Sequence, residues 1–155
     1  MSDQPTLSVV LTAPEGQTGH LIADLLLTNP DFKSKISQLT LLTANPDHEH
    51  VQSLVKSGAK AVKATTKDEL LAAMQEAKPN AAMLIPPSSA DKLKEVTMIL
   101  EVMKEAGGVE NAIMLSSAGA DLADEKLPRL REFVEMEKLA METLKVASVI
   151  RYVEN

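Results

Sequence analysis

The stretch Leu7-Ser-Val-Val-Leu-Thr-Ala13, Pro14-Glu-Gly-Gln-Thr-Gly19, His20-Leu-Ile-Ala-Asp-Leu-Leu-Leu27 decides the fold. The apolar run Leu7 to Leu11 reads as a strand buried on both faces, as in a parallel sheet. Gly16 and Gly19 form a turn that lets backbone approach a ligand closely, and a helix opens directly after it. A helix start presents free N–H groups and a positive dipole end, so strand, glycine turn and helix in this order build a pyrophosphate site. A side chain at Gly19 is expected to fill the space where pyrophosphate meets the helix. Ala13 stands where the usual pattern has its first glycine. The same turn also serves as a plain strand-to-helix connection.

Strand-like and helix-like segments alternate onward from this unit. Strands are predicted at Leu39–Thr43, Ala61–Ala64, Ala81–Ile85, Asn111–Ser116 and Ala147–Arg151. Helices are predicted between them, at His50–Lys56, Leu70–Ala77, from Ser88 or Ser89 to Ala106, and from Pro128 to Lys145. Thr66-Lys-Asp-Glu69 has the capping-box pattern, and Gly58 and Gly107-Gly108 stand at helix ends. Residues 117–127 read as a loop. The pattern predicts an α/β, Rossmann-like doubly wound parallel sheet of about six strands in the order 3-2-1-4-5-6, with the ligand crevice between strands one and four. Residues 1–155 are expected to form one dinucleotide-binding domain.

Composition narrows the partners. The chain has 155 residues, 45% apolar and 25% charged, with a formal net charge of −6. No basic concentration exists to neutralise phosphates, which argues against nucleic acid as a partner. The chain has no Cys, which excludes thiolate catalysis and zinc–thiolate sites. No apolar run approaches 20 residues and no basic-then-apolar leader is visible, so no membrane partner is expected and the location reads as cytoplasmic, or also nuclear. With Phe32, Phe133 and Tyr152 the only aromatic residues, base-stacking platforms lack material. Met98, Val102 and Glu105 fit a packing stripe, the eight Met residues being gap fillers.

Three segments carry a resemblance: Thr12-Ala-Pro-Glu-Gly-Gln-Thr-Gly19, Leu115-Ser-Ser-Ala-Gly-Ala-Asp121, and Glu137 with Val149-Ile-Arg151. In this order they resemble the NmrA-like family of atypical short-chain dehydrogenases/reductases. The resemblance implies a Rossmann domain that binds NADP or NAD, in a family holding both reductases and non-catalytic, cofactor-sensing regulators. It places Ala13, Gly16, Gln17, Thr18 and Gly19 in the phosphate loop, and Pro86 and Pro87 beside the nicotinamide half of the cofactor. Ala44 falls just after strand two, where relatives carry an Arg for the 2′-phosphate of NADP; it supplies neither that Arg nor the acid of an NAD binder. Ser116 and Ser117 match the end of strand five, where a superfamily serine sits beside the reacting carbonyl, which puts Ser116 among the cofactor-binding residues and makes Ser117 the catalytic candidate.

Two departures qualify the resemblance. The superfamily's Tyr, with its Lys four residues on, has no counterpart near Arg129–Phe133, and Lys138 is out of register. The family also continues past the strand ending in Arg151 with elements that build its substrate pocket; here Tyr152-Val-Glu-Asn155 follows, so the chain reads as C-terminally shortened. Three functions stay open: an NAD(P)-dependent reductase acting on a small-molecule metabolite, a non-catalytic NAD(P)-binding sensor docking on a protein partner or forming a homo-oligomer, and a shortened paralogue that binds little.

Single residues read more simply. Asp47-His-Glu-His50 is taken as a solvated turn near the adenosine end rather than a metal site, and His20 as surface-facing. The charged run Lys126 to Glu132 reads as a solvated helix face, or alternatively a contact to cofactor phosphates. Asp121 and Asp124 are expected to cap or solubilise their loop, and Glu137 to pair with Arg151.

Overall fold

A computed structural model describes residues 6–153; Glu154 and Asn155, the end of the segment after Arg151, lie outside the described residues. Six strands form one sheet in which every pairing is parallel: β1 (Leu7–Thr12), β2 (Ile36–Thr43), β3 (Lys60–Lys63), β4 (Ala81–Leu84), β5 (Asn111–Ser117) and β6 (Ala147–Tyr152). Their order is β3-β2-β1-β4-β5-β6, the doubly wound order expected from the sequence. Helices α1 (Gln17–Thr28), α2 (Pro30–Lys33), α3 (Glu49–Lys56), α4 (Lys67–Ala77), α5 (Lys92–Ala106) and α6 (Pro128–Thr143) lie between the strands in sequence.

The central strands β1, β2, β4 and β5 are apolar on both faces because both are covered, whereas β6 leaves Ile150 exposed. Successive side chains of a strand point to opposite sides. Val10 therefore joins Leu42, Ala82 and Met114 in the core under α4, α5 and α6, while Val9 and Leu11 join Leu39, Leu41 and Leu115 in the core under α1 and α3. Leu11 and Leu41 are fully buried in the second core, where truncation to Ala costs about 2–5 kcal/mol.

Most element ends agree with their sequence signals. Thr66 accepts from the Glu69 N–H at 3.2 Å while the Glu69 carboxylate accepts from Thr66, so the capping box is complete. Gly107 ends α5 with φ 70, a left-handed value that glycine adopts without strain. Other ends differ. Helix α1 starts at Gln17, three residues before His20, and α5 starts at Lys92. Ser89 does not cap α5: its hydroxyl donates to Glu95 at 2.7 Å, and Asp91 holds the cap position. Helix α2 follows from Pro30 at its first turn and Asn29, whose side chain accepts from Asp31 N–H at 2.9 Å. A short 3-10 turn at Ala120–Leu122 interrupts the expected loop. Among the described residues no helix is long and apolar enough to cross a membrane.

The order reverses between β1 and β4. Chain leaving β1 turns into α1 towards β2, and chain leaving β4 turns into α5 towards β5. The loops after these two strands diverge, which opens a crevice at their carboxyl ends.

Candidate functional site

Thr12, the last residue of β1, fixes the mouth of the crevice. Its hydroxyl donates to the Ile85 carbonyl at 2.9 Å and accepts from the Ile85 N–H at 2.7 Å. Both backbone groups of Ile85 are thus satisfied at a buried position where no strand partner continues. Nothing in the sequence pointed from this threonine to Ile85, 73 residues away.

The loop between β1 and α1 begins at Ala13, which adopts φ 51. This left-handed conformation explains why the first position of such loops favours glycine. The loop closes with Gly16 N–H on the Ala13 carbonyl at 3.4 Å. Gly16 is the cap residue of α1 and, lacking a side chain, supplies no capping bond. The first-turn N–H groups of Gln17, Thr18 and Gly19 therefore face the crevice mouth without a side-chain acceptor, and no acidic residue shares that turn.

The two glycines do different things. A Cβ on Gly16 would meet only the Ala13 carbonyl oxygen, at 3.7 Å, so the space beside it is open to a ligand. A Cβ on Gly19 would run into that same carbonyl oxygen and come within 2.9 Å of its carbon. Gly19 is required for α1 to pack on the end of β1; the space a side chain would occupy there is protein backbone, not the ligand space expected from the sequence.

The crevice has two lobes that meet over the loop between β1 and α1. The first, of about 720 Å³, is lined by Gly16–Gly19, by Ile85, Pro86 and Pro87, and by Lys92, Arg129, Phe133 and Tyr152. The second, of about 530 Å³, lies beyond the ends of β2 and β3, with Leu42, Ala44, Ala64, Leu70 and Met98 giving it an apolar floor. Ala13, Glu15, Ile85 and Pro87 border both lobes. Of the residues singled out from the sequence, Ala13, Gly16, Gln17, Thr18, Gly19, Pro86 and Pro87 come together at the first lobe and Ala44 at the second.

Ser116 and Ser117 line neither lobe. Ser116 is fully buried and its hydroxyl donates to Glu137. Ser117 pairs along the sheet with Tyr152. Glu137 also accepts from Arg151 through Nε at 2.9 Å and Nη2 at 2.8 Å, the pairing expected from the sequence. Arg151 extends to Asp121 at 3.0 Å, so Asp121 holds an ion pair rather than a loop cap. The Arg151 guanidinium holds the Glu137 carboxyl below the usual carboxylate range, helped by Ser116 and opposed by burial. The set ties α6 to β5 and β6 and draws the Ser116 hydroxyl away from the crevice.

Sequence reasoning passed over other residues here. Lys92 is buried on the first lobe, paired with Glu132 at 2.9 Å and 5.3 Å from the centre of the Phe133 ring. Glu132 of the charged run is thereby engaged, while Arg129 of the same run lines the lobe. Tyr152 reaches the lobe because it ends a parallel strand; its position at a strand's carboxyl end was the available signal.

Residues 46–48 form a turn with Asp47 exposed, as expected, but the three histidines are half-buried and pack on one another. The His20 and His50 rings stack at 4.4 Å, and His50 meets the edge of His48 at 5.1 Å. His48 caps α3 through its ring nitrogen, and His50 Nδ1 lies 2.8 Å from the Glu15 carbonyl oxygen.

Neither a protein-family model nor a curated protein sequence matches the chain. Solved structures do. An NADPH-dependent quinone oxidoreductase from Escherichia coli, complexed with NADPH, superposes with a TM-score of 0.74 at 24% identity, over 92% of this chain and 48% of that one. A triphenylmethane reductase from Citrobacter sp., complexed with NADP(H), gives 0.68 at 17% identity over 92% and 48%. A leucoanthocyanidin reductase from Vitis vinifera, complexed with NADPH, gives 0.73 at 15% identity over 92% and 48%. The likeness is one of fold. This chain spans about half the length of each of these neighbours.

Proposed function

We propose that the chain is an NAD(P)-dependent reductase of the NmrA-like type that acts on a small metabolite. The observation that carries this reading is the two-lobed crevice at the carboxyl ends of β1 and β4, with an uncapped α1 and an open Gly16 where the lobes meet. These residues fit a dinucleotide. The first-turn N–H groups of α1 would hold the pyrophosphate, and Gly16 leaves it room. The apolar floor of the second lobe would take the adenine, and Pro86 and Pro87 would wall the nicotinamide half against water. When bound, the nicotinamide supplies or takes the hydride. Tyr152 is the one phenol of the chain and lines that lobe, and in this reading it passes a proton to a substrate oxygen. The named neighbours, each complexed with NADPH or NADP(H), support the reading through their shared fold.

A second reading, a dinucleotide-binding sensor without turnover, is favoured by one observation. The Ser116 hydroxyl is committed to Glu137 and Ser117 lies off the crevice, so the superfamily's serine position places no hydroxyl there. The deciding experiment follows reduced-nicotinamide absorbance while the protein meets quinones, aldehydes and ketones. Reductase function predicts substrate-dependent oxidation that Tyr152→Phe lowers by about tenfold to a hundredfold. Tight cofactor binding with no oxidation across the panel would favour the sensor.

A further inference from the structure

In this fold the carboxyl end of β2 meets the adenosine ribose, where a carboxylate bonds the 2′-hydroxyl of NAD and a basic group accommodates the 2′-phosphate of NADP. Here β2 ends in Thr43, followed by Ala44 and Asn45, which carry no charge. The place is filled from another element. Glu15, two residues past the left-handed turn at Ala13, reaches across to the end of β2, where its Oε1 accepts from the Thr43 hydroxyl, from Ala44 N–H at 2.8 Å and from Asn45 N–H at 3.2 Å. His50 holds the same residue from the other side, through its carbonyl.

We propose that Glu15 selects the adenosine half of the cofactor and makes the chain prefer NAD(H) over NADP(H). The inference rests on the dinucleotide reading above and adds the identity of the ligand. Three features carry it. All three bonds to the carboxylate go to Oε1, and among the described residues Oε2 takes none, so an acceptor remains for a ribose hydroxyl. The two backbone N–H groups that would otherwise receive a 2′-phosphate are already occupied by a carboxylate. The charged lining of the second lobe is Glu15, Asp91 and Glu95 against Lys94, an excess of negative charge where a 2′-phosphate would bring nearly two more. The first lobe shares Glu15 but adds Arg129 and Lys92, the latter paired with Glu132. The second lobe is thus the one with a net negative lining, where only NADP(H) would place a phosphate.

The test is calorimetric titration of the protein and of Glu15→Gln with NADH, NADPH, ADP-ribose and 2′-phospho-ADP-ribose. Glutamine keeps one acceptor oxygen for the three donors, removes the charge and turns the second oxygen into an amide donor, which a ribose hydroxyl can still meet as an acceptor. The wild type is expected to bind NADH at least about tenfold more tightly than NADPH, with the same preference in the fragments. In Glu15→Gln the NADPH affinity should rise about tenfold while that of NADH moves less than about threefold. Equal or tighter NADPH binding by the wild type, or an unchanged ratio in the variant, overturns the selectivity while leaving the dinucleotide site standing. Binding of neither cofactor removes the site and this inference with it. Should the variant fail to fold, the wild-type ratio as salt rises decides: discrimination by charge shrinks with ionic strength, and discrimination that stays constant refutes the role of Glu15.

Discussion

Substituting the two loop glycines separates packing from binding, because the structure gives them different neighbours. In Gly19→Ala the new Cβ would overlap the Ala13 carbonyl oxygen and approach Ala13 C at 2.9 Å and Pro14 Cα at 3.2 Å, all of them backbone atoms that cannot swing aside. Relief requires α1 to retreat from β1 by about 1 Å in an interior packed at crystal density. That helix carries Ala23 and Leu27 into the core, so the displacement is an overpacking defect of about 2–3 kcal/mol. For a chain of this length such a loss lowers the melting temperature by about 5–10 °C. Gly16→Val is the contrast. Its φ of −71 and ψ of 156 are extended values that any residue adopts, and its Cβ meets nothing closer than 3.7 Å. Stability should change by less than about 0.5 kcal/mol, while the branched side chain fills the cradle and costs dinucleotide affinity about a hundredfold. Thermal melts followed by circular dichroism, with calorimetric titration at a temperature where all three proteins are folded, read both effects. A Gly19→Ala protein that melts with the wild type, or a Gly16→Val protein that binds as tightly, would refute the reasoning.

Thr12→Val keeps the side-chain shape but orphans the buried N–H and carbonyl of Ile85; a loss of about 2–4 kcal/mol in urea unfolding is expected, and a neutral result would show that the crevice mouth is held elsewhere. Ala13→Gly removes a left-handed alanine at a cost in unfolded-chain entropy, so a net gain of about 0.5–1 kcal/mol is expected in the same assay. Because the Glu137 carboxyl is held below its ordinary value of 4.5, chiefly by Arg151, its contribution is complete above that pH and fades as pH falls through the depressed folded value. Wild-type stability should therefore fall more steeply than that of Glu137→Gln on acidification from about pH 5 to pH 3, and parallel profiles would contradict the assigned pairing.

The strand order was legible because both signals behind it are local. Continuous apolar runs such as Val9–Leu11 mark strands covered on both faces, and Gly, Pro and capping residues punctuate the helices between them. The glycine turn between β1 and α1 was legible for the same reason, since Ala13, Gly16 and Gly19 lie within seven residues of chain. What escaped depends on contacts between distant elements. Thr12 and Ile85 are 73 residues apart, and Glu15 meets β2 across 28 to 30 residues, so neither pair leaves a local pattern. The purpose of Gly19 was misread because the sequence shows that a side chain is missing there but not which atoms occupy the space. Ser116 illustrates the same limit: its place at the end of β5 was right, but a buried partner on α6 takes its hydroxyl away from the crevice.

In the proposed function a dinucleotide lies across the ends of β1 and β4 with its pyrophosphate on the first turn of α1. Titrating isotope-labelled protein with NADH while following assigned backbone amide resonances tests that placement residue by residue. The account predicts saturable shifts that are largest at Gly16, Gln17, Thr18 and Gly19, with smaller ones at Ala44 and Ile85. A spectrum that does not respond to NADH or NADPH, or shifts centred away from that turn, would contradict it.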